Sequence, residues 1–411
     1  MHTSITRSCV VTLALLTCAS LAHAGGFVLA EPNAGALGRA GASAAIPDGP
    51  STIYYNPAGL TLGHGLALEA GVGIDVDRTT ASTAGVTTRT ATTVAIPTLF
   101  LSQRLGDHFG VGVGLYRAPS QSLDYPDAFA GRFRVQRASF GGTTLQPTVA
   151  GRPFSWLSVG FGLTVTFAEL DLAQAQADPR YETRFSLAGK AIGLGGVIGL
   201  WARIYRDYLT FGWAYKSAVD LDHSGRATIT LPGSSTTLAV DDARLTLPSP
   251  HIFSFALGSR PRPGTSVQLE ARLALLRDLD GFTVKDTTEP PSTLISIALK
   301  PRELVQLRAG FEQKLIGERL ALRVGVGYDL GSTRRDLDPA FPDGDRVILA
   351  AGLGYLRPDF AVNAGYMASF SPGLTGSRGI SYAADYANLR HSIGVSLSIR
   401  VEKLGPAVTY D

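Results

Sequence analysis

The residues able to do acyl-transfer chemistry are few and poorly arranged. Beyond the first 24 residues the histidines are His64, His108, His223, His251 and His391, scattered over element ends and loops. A nucleophile site needs a Ser beside a His, with an acid or amide to orient the His. His391 and Ser392 are neighbours in an alternating stretch, so their side chains point to opposite faces. No Gly-x-Ser-x-Gly elbow is present. Cys9 and Cys18 both fall in the N-terminal leader, so its removal takes away any thiol nucleophile, disulfide or cysteine metal site. This pattern is not that of an enzyme, and it names no catalytic residue, metal or cofactor.

The polar groups that remain are suited to holding a segment in place. Gly25 to Leu60 is rich in small and turn-forming residues, and too irregular for either a helix or a strand. It contains Gly38-Arg39-Ala40-Gly41 and, further on, Asn56-Pro57-Ala58. Such a stretch reads as a plug enclosed by something larger. Before it come Arg7, an apolar run Val10 to Leu16 and the small-x-small site Ala22-His23-Ala24. These define a secretory signal over 1–24. A lipoprotein signal at Cys18 fits poorly because Thr17 precedes it.

The enclosing element is legible in the alternation from His64 onward. Leu157, Val159, Phe161, Leu163, Val165 and Phe167 alternate with Ser158, Gly160, Gly162, Thr164 and Thr166. Ile393, Val395, Leu397 and Ile399 alternate with Ser392, Gly394, Ser396 and Ser398. Successive side chains of a strand face opposite ways, so each stretch has one apolar face and one small or polar face. A soluble sandwich would carry Lys, Glu and Arg on the second face. Gly, Ala, Ser and Thr there suit a crowded interior, with the apolar face turned to lipid. At 411 residues the chain is 45 % apolar and 17 % charged, which excludes a disordered chain. No apolar run reaches the roughly 18 residues of a spanning helix. The net charge of +3 is too small for a nucleic-acid footprint.

Fourteen strands follow, at about 65–78, 92–104, 108–118, 136–152, 156–172, 182–203, 207–221, 248–260, 264–277, 292–314, 319–330, 345–356, 360–370 and 388–401. Short connections such as Gly106-Asp107 and Arg357-Pro358-Asp359 alternate with long polar ones at 79–91, 119–135, 173–181, 222–247, 278–291, 331–344 and 371–387. That asymmetry, with an even strand count, belongs to single-chain outer-membrane barrels. The expected organisation is a signal peptide 1–24, a hatch 25–64, an all-β fourteen-stranded antiparallel transmembrane barrel 65–401 and a tail 402–411. Tyr116, Trp156, Phe167, Trp201, Tyr205, Tyr208, Trp213, Tyr328, Tyr355 and Tyr366 lie near strand ends and suit an interfacial girdle.

With these residues in view, the chain resembles the FadL family, outer-membrane channels for long-chain fatty acids and other hydrophobic molecules. The resemblance rests on Asn56-Pro57-Ala58 in a plug behind the signal, and on Phe341-Pro342-Asp343-Gly344-Asp345-Arg346 late in the chain. Leu105 to Gly112, Leu157 to Leu163, Tyr215-Lys216-Ser217 and Leu247-Pro248 also match. The resemblance implies a monomeric barrel in a Gram-negative outer membrane, its lumen closed by an N-terminal hatch. It also implies that a hydrophobic ligand, fatty acid or hydrocarbon, enters an apolar pocket beside the hatch and leaves sideways into membrane lipid at a kink in the third strand.

Within that scheme Gly112, Gly114, Tyr116 and Pro119 mark the kink, since Pro119 cannot donate a ladder bond and glycines give no packing. Alternatively Pro119 merely ends the strand. Asn56 would bond strand backbone left open by the kink, or else form a simple Asn-Pro turn. Arg39 would anchor the hatch to an inward-facing acid such as Glu69, Asp75 or Glu270, because enclosed charges need partners. Phe27, Val28 and Leu29 are the candidate ligand contacts, or plain plug packing. The short 173–181 connection puts an outer capture groove in question, and the chain does not end on an aromatic strand terminus. A general porin and a structural or adhesive barrel are the competing functions. A porin for hydrophilic solutes has no need of so large a plug.

Overall fold

The computed structural model describes residues 29–401, apart from 84, 178–181, 207, 232–236, 277–278, 280, 289, 300, 333–337, 372–373 and 376–383. The expected signal and the tail 402–411 therefore lie outside the described residues.

The strands form a closed antiparallel barrel of fourteen. The first six are β1 Leu66–Thr83, β2 Val86–Leu105, β3 in two pieces Phe109–Arg117 and Gln121–Asp124, β4 Arg137–Phe154, β5 Leu157–Ala177 and β6 Glu182–Tyr205. Four two-piece strands follow. They are β7 (Leu209–Lys216, Asp222–Thr230), β8 (Thr237–Thr246, His251–Arg262), β9 (Thr265–Leu275, Gly281–Asp286) and β10 (Ser292–Ala298, Leu304–Leu315). The last four are β11 Leu320–Leu330, β12 Arg346–Leu356, β13 (Phe360–Phe370, Leu374–Thr375) and β14 Asp385–Val401. Each strand pairs with its sequence neighbour, and β14 returns to β1 in a ladder from Leu66↔Val401 to Ser82↔Asp385. Closure joins the first and last strands, as a sheet that sits in hydrocarbon requires.

Facing follows the expected parity through the lower part of the wall. On β5, Val159, Phe161, Leu163 and Phe167 are 41–52 % exposed on the outside, while Ser158, Thr164 and Thr166 are buried. Higher up the two faces exchange character without losing period. Beyond Phe167 the outside carries Glu169, and the inside carries Leu170 and Leu172. Across the ladder Lys190 of β6 pairs with Glu169 at 3.5 Å. This switch marks the water line: below it lipid covers the apolar face, and above it water does not, so the large apolar side chains turn inward. They collect into one cluster that includes Leu172, Phe185, Leu245, Phe282, Val284 and Ile295.

Several expected loops are strand instead. β1 and β2 continue pairing to Thr83↔Val86, so 79–91 is mostly hairpin, turned at Gly85 with φ 81°. β5 and β6 pair up to Ala177↔Glu182, and much of 222–247 and 278–291 belongs to β7, β8 and β9. These segments have Thr, Ser and charges on the outer face, so the lipid-type alternation stops while backbone pairing goes on. Two members of the expected girdle also face inward. Tyr116 and Trp201 are buried, whereas Trp156, Phe167, Tyr205, Tyr208, Tyr328, Tyr355 and Tyr366 are outside and 39–57 % exposed.

Candidate functional site

The stretch from Leu29 to Gly63 forms two one-turn helices, α1 Ala34–Leu37 and α2 Thr52–Tyr55, and a 3₁₀ turn Pro57–Leu62. Asn33 caps α1 by accepting from Ala36 N at 2.7 Å. Almost every residue between Leu29 and Thr61 is buried, and the bonds from this segment run to the inward faces of strands around the wall. Glu69 of β1 accepts from Asn33 Nδ2 (2.7 Å) and Ser51 Oγ (3.2 Å). Gln146 of β4 donates to Ile53 O at 2.8 Å. Trp201 Nε1 of β6 and Thr210 Oγ1 of β7 both donate to Ala45 O, at 2.9 and 3.0 Å. Glu270 of β9 accepts from Ser43 N and Ala44 N at 2.9 and 3.0 Å. Backbone that makes no sheet is satisfied by wall side chains, as enclosed backbone must be.

Arg39 meets inward-facing Glu312 rather than any of the three acids named as examples. Its Nη1 lies 2.9 Å from Glu312 Oε2 of β10 and 3.4 Å from Asp48. Glu312 also receives Arg323 Nε of β11 at 2.5 Å. The three acids do face inward, but Glu69 and Glu270 take the bonds just given. Glu270 also holds Arg272, whose Nη1 reaches Glu31 at 2.6 Å.

Asn56 bonds strand backbone, though on a different strand from the one expected. Its Nδ2 donates to Leu200 O of β6 and to Ala44 O, both at 3.0 Å, and its Oδ1 accepts from Ala58 N at 3.2 Å. Pro57 and Ala58 lie against Gly160 of β5, and Asn56 and Pro57 against Gly199 of β6. A Cβ at either glycine would overlap them. The third strand instead faces α2 and the 3₁₀ turn. A Cβ on Gly112 would come within 2.7 Å of Ile53, and one on Gly114 within 2.8 Å of Phe100.

The third strand breaks where Pro119 interrupts it. Its two pieces end at Arg117 and restart at Gln121. The β2–β3 ladder covers only Leu99↔Leu115 to Leu105↔Phe109, so β2 from Val86 to Thr98 pairs with β1 alone. Pro97 sits in that unpaired reach, a position that tolerates a residue without an N–H. Tyr116 lines the inner side of the break. Its hydroxyl bonds Gln146, and its ring lies 4.9 Å from Tyr54.

Of the candidate ligand contacts, Phe27 and Val28 lie outside the described residues. Leu29 is buried at the base of the large apolar cluster. It also borders a layer of ion pairs, Arg308–Asp329, Arg346–Asp343 and Arg390–Asp77. Neither the layer nor the apolar cluster above it was read from the sequence. The signal for the layer was present, since Arg308, Glu312 and Gly310 share one parity on β10.

A closed fourteen-stranded antiparallel barrel with a lipid-facing apolar band is a transmembrane barrel of the bacterial outer membrane. A family model described as "Outer membrane protein transport protein (OMPP1/FadL/TodX)" matches residues 15–373. The chain belongs to that family, a family of transport proteins and channels rather than of enzymes. Outer membrane protein P1 of Haemophilus influenzae is 22 % identical over 406 residues, which cover 86 % of this chain and 87 % of that protein. Among solved structures, a Pseudomonas aeruginosa FadL homologue superimposes with a TM-score of 0.82 at 17 % identity, covering 92 % of this chain and all of its own. The toluene transporter TodX of P. putida superimposes with a TM-score of 0.74 at 17 % identity, covering 91 % of this chain and all of its own. At these identities the likeness to the solved structures is one of fold.

Proposed function

We propose that this chain is a monomeric channel that takes hydrophobic molecules, fatty acids or hydrocarbons, from outside the cell and releases them sideways into the outer membrane. Residues 25–64 act as the hatch that denies them a straight path through the lumen. Cargo collects in the apolar interior above the hatch, near Leu29, and leaves through the wall between β2 and β3. The observation that carries this reading is the β2–β3 ladder ending at Leu99↔Leu115, at the level where β3 is interrupted between Arg117 and Gln121. Lateral release suits a cargo whose difficulty is water, because transfer into hydrocarbon stabilises each buried CH₂ by about 0.8 kcal/mol. Family membership and the shared fold with TodX, described as a toluene transporter, support the same cargo class.

The test is to close the opening reversibly. Cysteines at Thr98 and Tyr116 occupy the next step of the β2–β3 ladder. Oxidation of the Thr98→Cys/Tyr116→Cys pair is expected to stop uptake of a radiolabelled apolar probe, and reductant to restore it. Uptake that is equal in the oxidised and reduced forms rules out this exit.

A further inference from the structure

Among the described residues six arginines are buried inside the barrel, Arg39, Arg272, Arg308, Arg323, Arg346 and Arg390, and each has a carboxylate partner within salt-bridge distance. Two part-buried cations beside the third-strand break have none that close among the described residues, although Asp75 faces Arg117 across a small cavity. Lys216 Nζ lies over the rings of Tyr54 and Tyr116, 3.3 and 5.4 Å from their centroids. Arg117 follows Tyr116 directly, and its Nε donates to Ser120 Oγ at 3.1 Å.

Arg117 occupies an unusual place. On the lumen side it borders a small cavity with Ala30, Asp75, Val94 and Ile96. On the outside it borders a groove of about 950 Å³ whose lower wall holds Pro97, Phe167 and Ile192 and whose upper rim holds Glu169, Lys190 and Asp222. One side chain therefore lines both the inner and the outer cavity at the unpaired reach of β2. Gly141 makes the room: a Cβ there would come within 3.0 Å of Arg117 Nη2. The level matters as well. Phe167 and Ile192 are outward apolar residues, and the Glu169–Lys190 pair just above them marks the water line.

We propose that Arg117 is the specificity-determining residue of the wall opening, and that it favours cargo carrying a carboxylate over neutral cargo of the same length. A guanidinium in such a passage keeps its charge at any physiological pH and offers paired N–H donors that match a carboxylate. A charge-assisted pair there compensates the desolvation of both groups as the acyl chain moves out toward lipid. A neutral ester of the same length offers the guanidinium a carbonyl acceptor but no negative charge, so it compensates less of that desolvation. The inference rests on the lateral-exit reading above.

The experiment uses the full chain reconstituted in liposomes, with dodecanoic acid and its methyl ester as probes. Wild type is expected to move the acid faster than the ester. In Arg117→Gln that preference should fall about tenfold, mainly through slower movement of the acid. Arg117→Lys should retain most of it, and Arg117→Glu should invert it. Heat-shifted gel migration confirms that each variant is a folded barrel, and Arg117→Lys serves as the conservative control. An acid-to-ester ratio that is the same in wild type and Arg117→Gln, with both chains active, overturns this proposal and leaves the transport reading standing. A wild-type chain that moves neither probe overturns both.

Discussion

Glu312 is the point at which the proposed hatch can be loosened without touching the barrel ladder. Its carboxylate lies between Arg39 of the plug and Arg323 of the wall, whose side chains are 3 % and 1 % exposed. Glu312→Gln keeps the shape and an acceptor but leaves two buried cations short of a negative charge. Removing one partner of a buried pair costs about 3–5 kcal/mol. Asp48 offsets part of this, because it lies 3.4 Å from Arg39 and 3.8 Å from Arg323. That side chain is 36 % exposed, so its compensation is screened, and about 2–3 kcal/mol remains. The loss falls on plug attachment, since the strand backbones around position 312 stay fully paired. It should raise the population of the released plug by roughly 30- to 150-fold.

The assay is maleimide labelling of Ser43→Cys, a buried plug position, in a chain whose leader cysteines are removed. Labelling should accelerate by that factor in Glu312→Gln, while heat-shifted migration of the barrel stays unchanged. Labelling within twofold of the parent would refute the anchoring role of Glu312. Loss of the folded barrel band would refute its confinement to the plug.

Two further outcomes follow from the same geometry. Asn56→Ala removes the donor to Leu200 O and Ala44 O and the acceptor for Ala58 N, leaving buried backbone short of partners at about 1–3 kcal/mol. Uptake of an apolar probe should drop several-fold in a barrel that still assembles, and normal uptake removes Asn56 from the mechanism. Phe282→Ala empties a fully buried site in the apolar cluster above the water line, at about 3–5 kcal/mol. Limited proteolysis should then cut the outer half of the barrel sooner, while the lipid-embedded half keeps its protection.

Much of this architecture is written in short-range pattern. Period two with Gly, Ser and Thr on one parity gives strand, facing and membrane at once, because lipid and a crowded lumen impose opposite demands on alternate residues. Fourteen strands and their neighbour order follow from that pattern and from the turn residues between them. The tops of the strands were harder to see. Above the water line outward residues become Thr, Ser, Glu and Lys, so a stretch such as 79–91 loses the amphipathic signal while its backbone goes on pairing. The residues of the break, Tyr116 to Pro119, could be named from Pro119 alone, yet the extent of the unpaired reach of β2 could not.

Partner choice lay beyond the linear chain. Glu69, Asp75, Glu270 and Glu312 all share inward parity, and nothing local says which of them Arg39 will meet. That depends on where the plug sits once β14 has closed on β1, a contact between residues more than 300 positions apart. The same holds for Asn56, which reaches β6 rather than β3, with Gly160 and Gly199 leaving room for Pro57 and Asn56 to approach the wall. Alternation depends on residues one step apart, so it survives in the sequence. Closure and stagger bring distant strands around a common interior, so the charges and cavities they create exist only in the folded barrel.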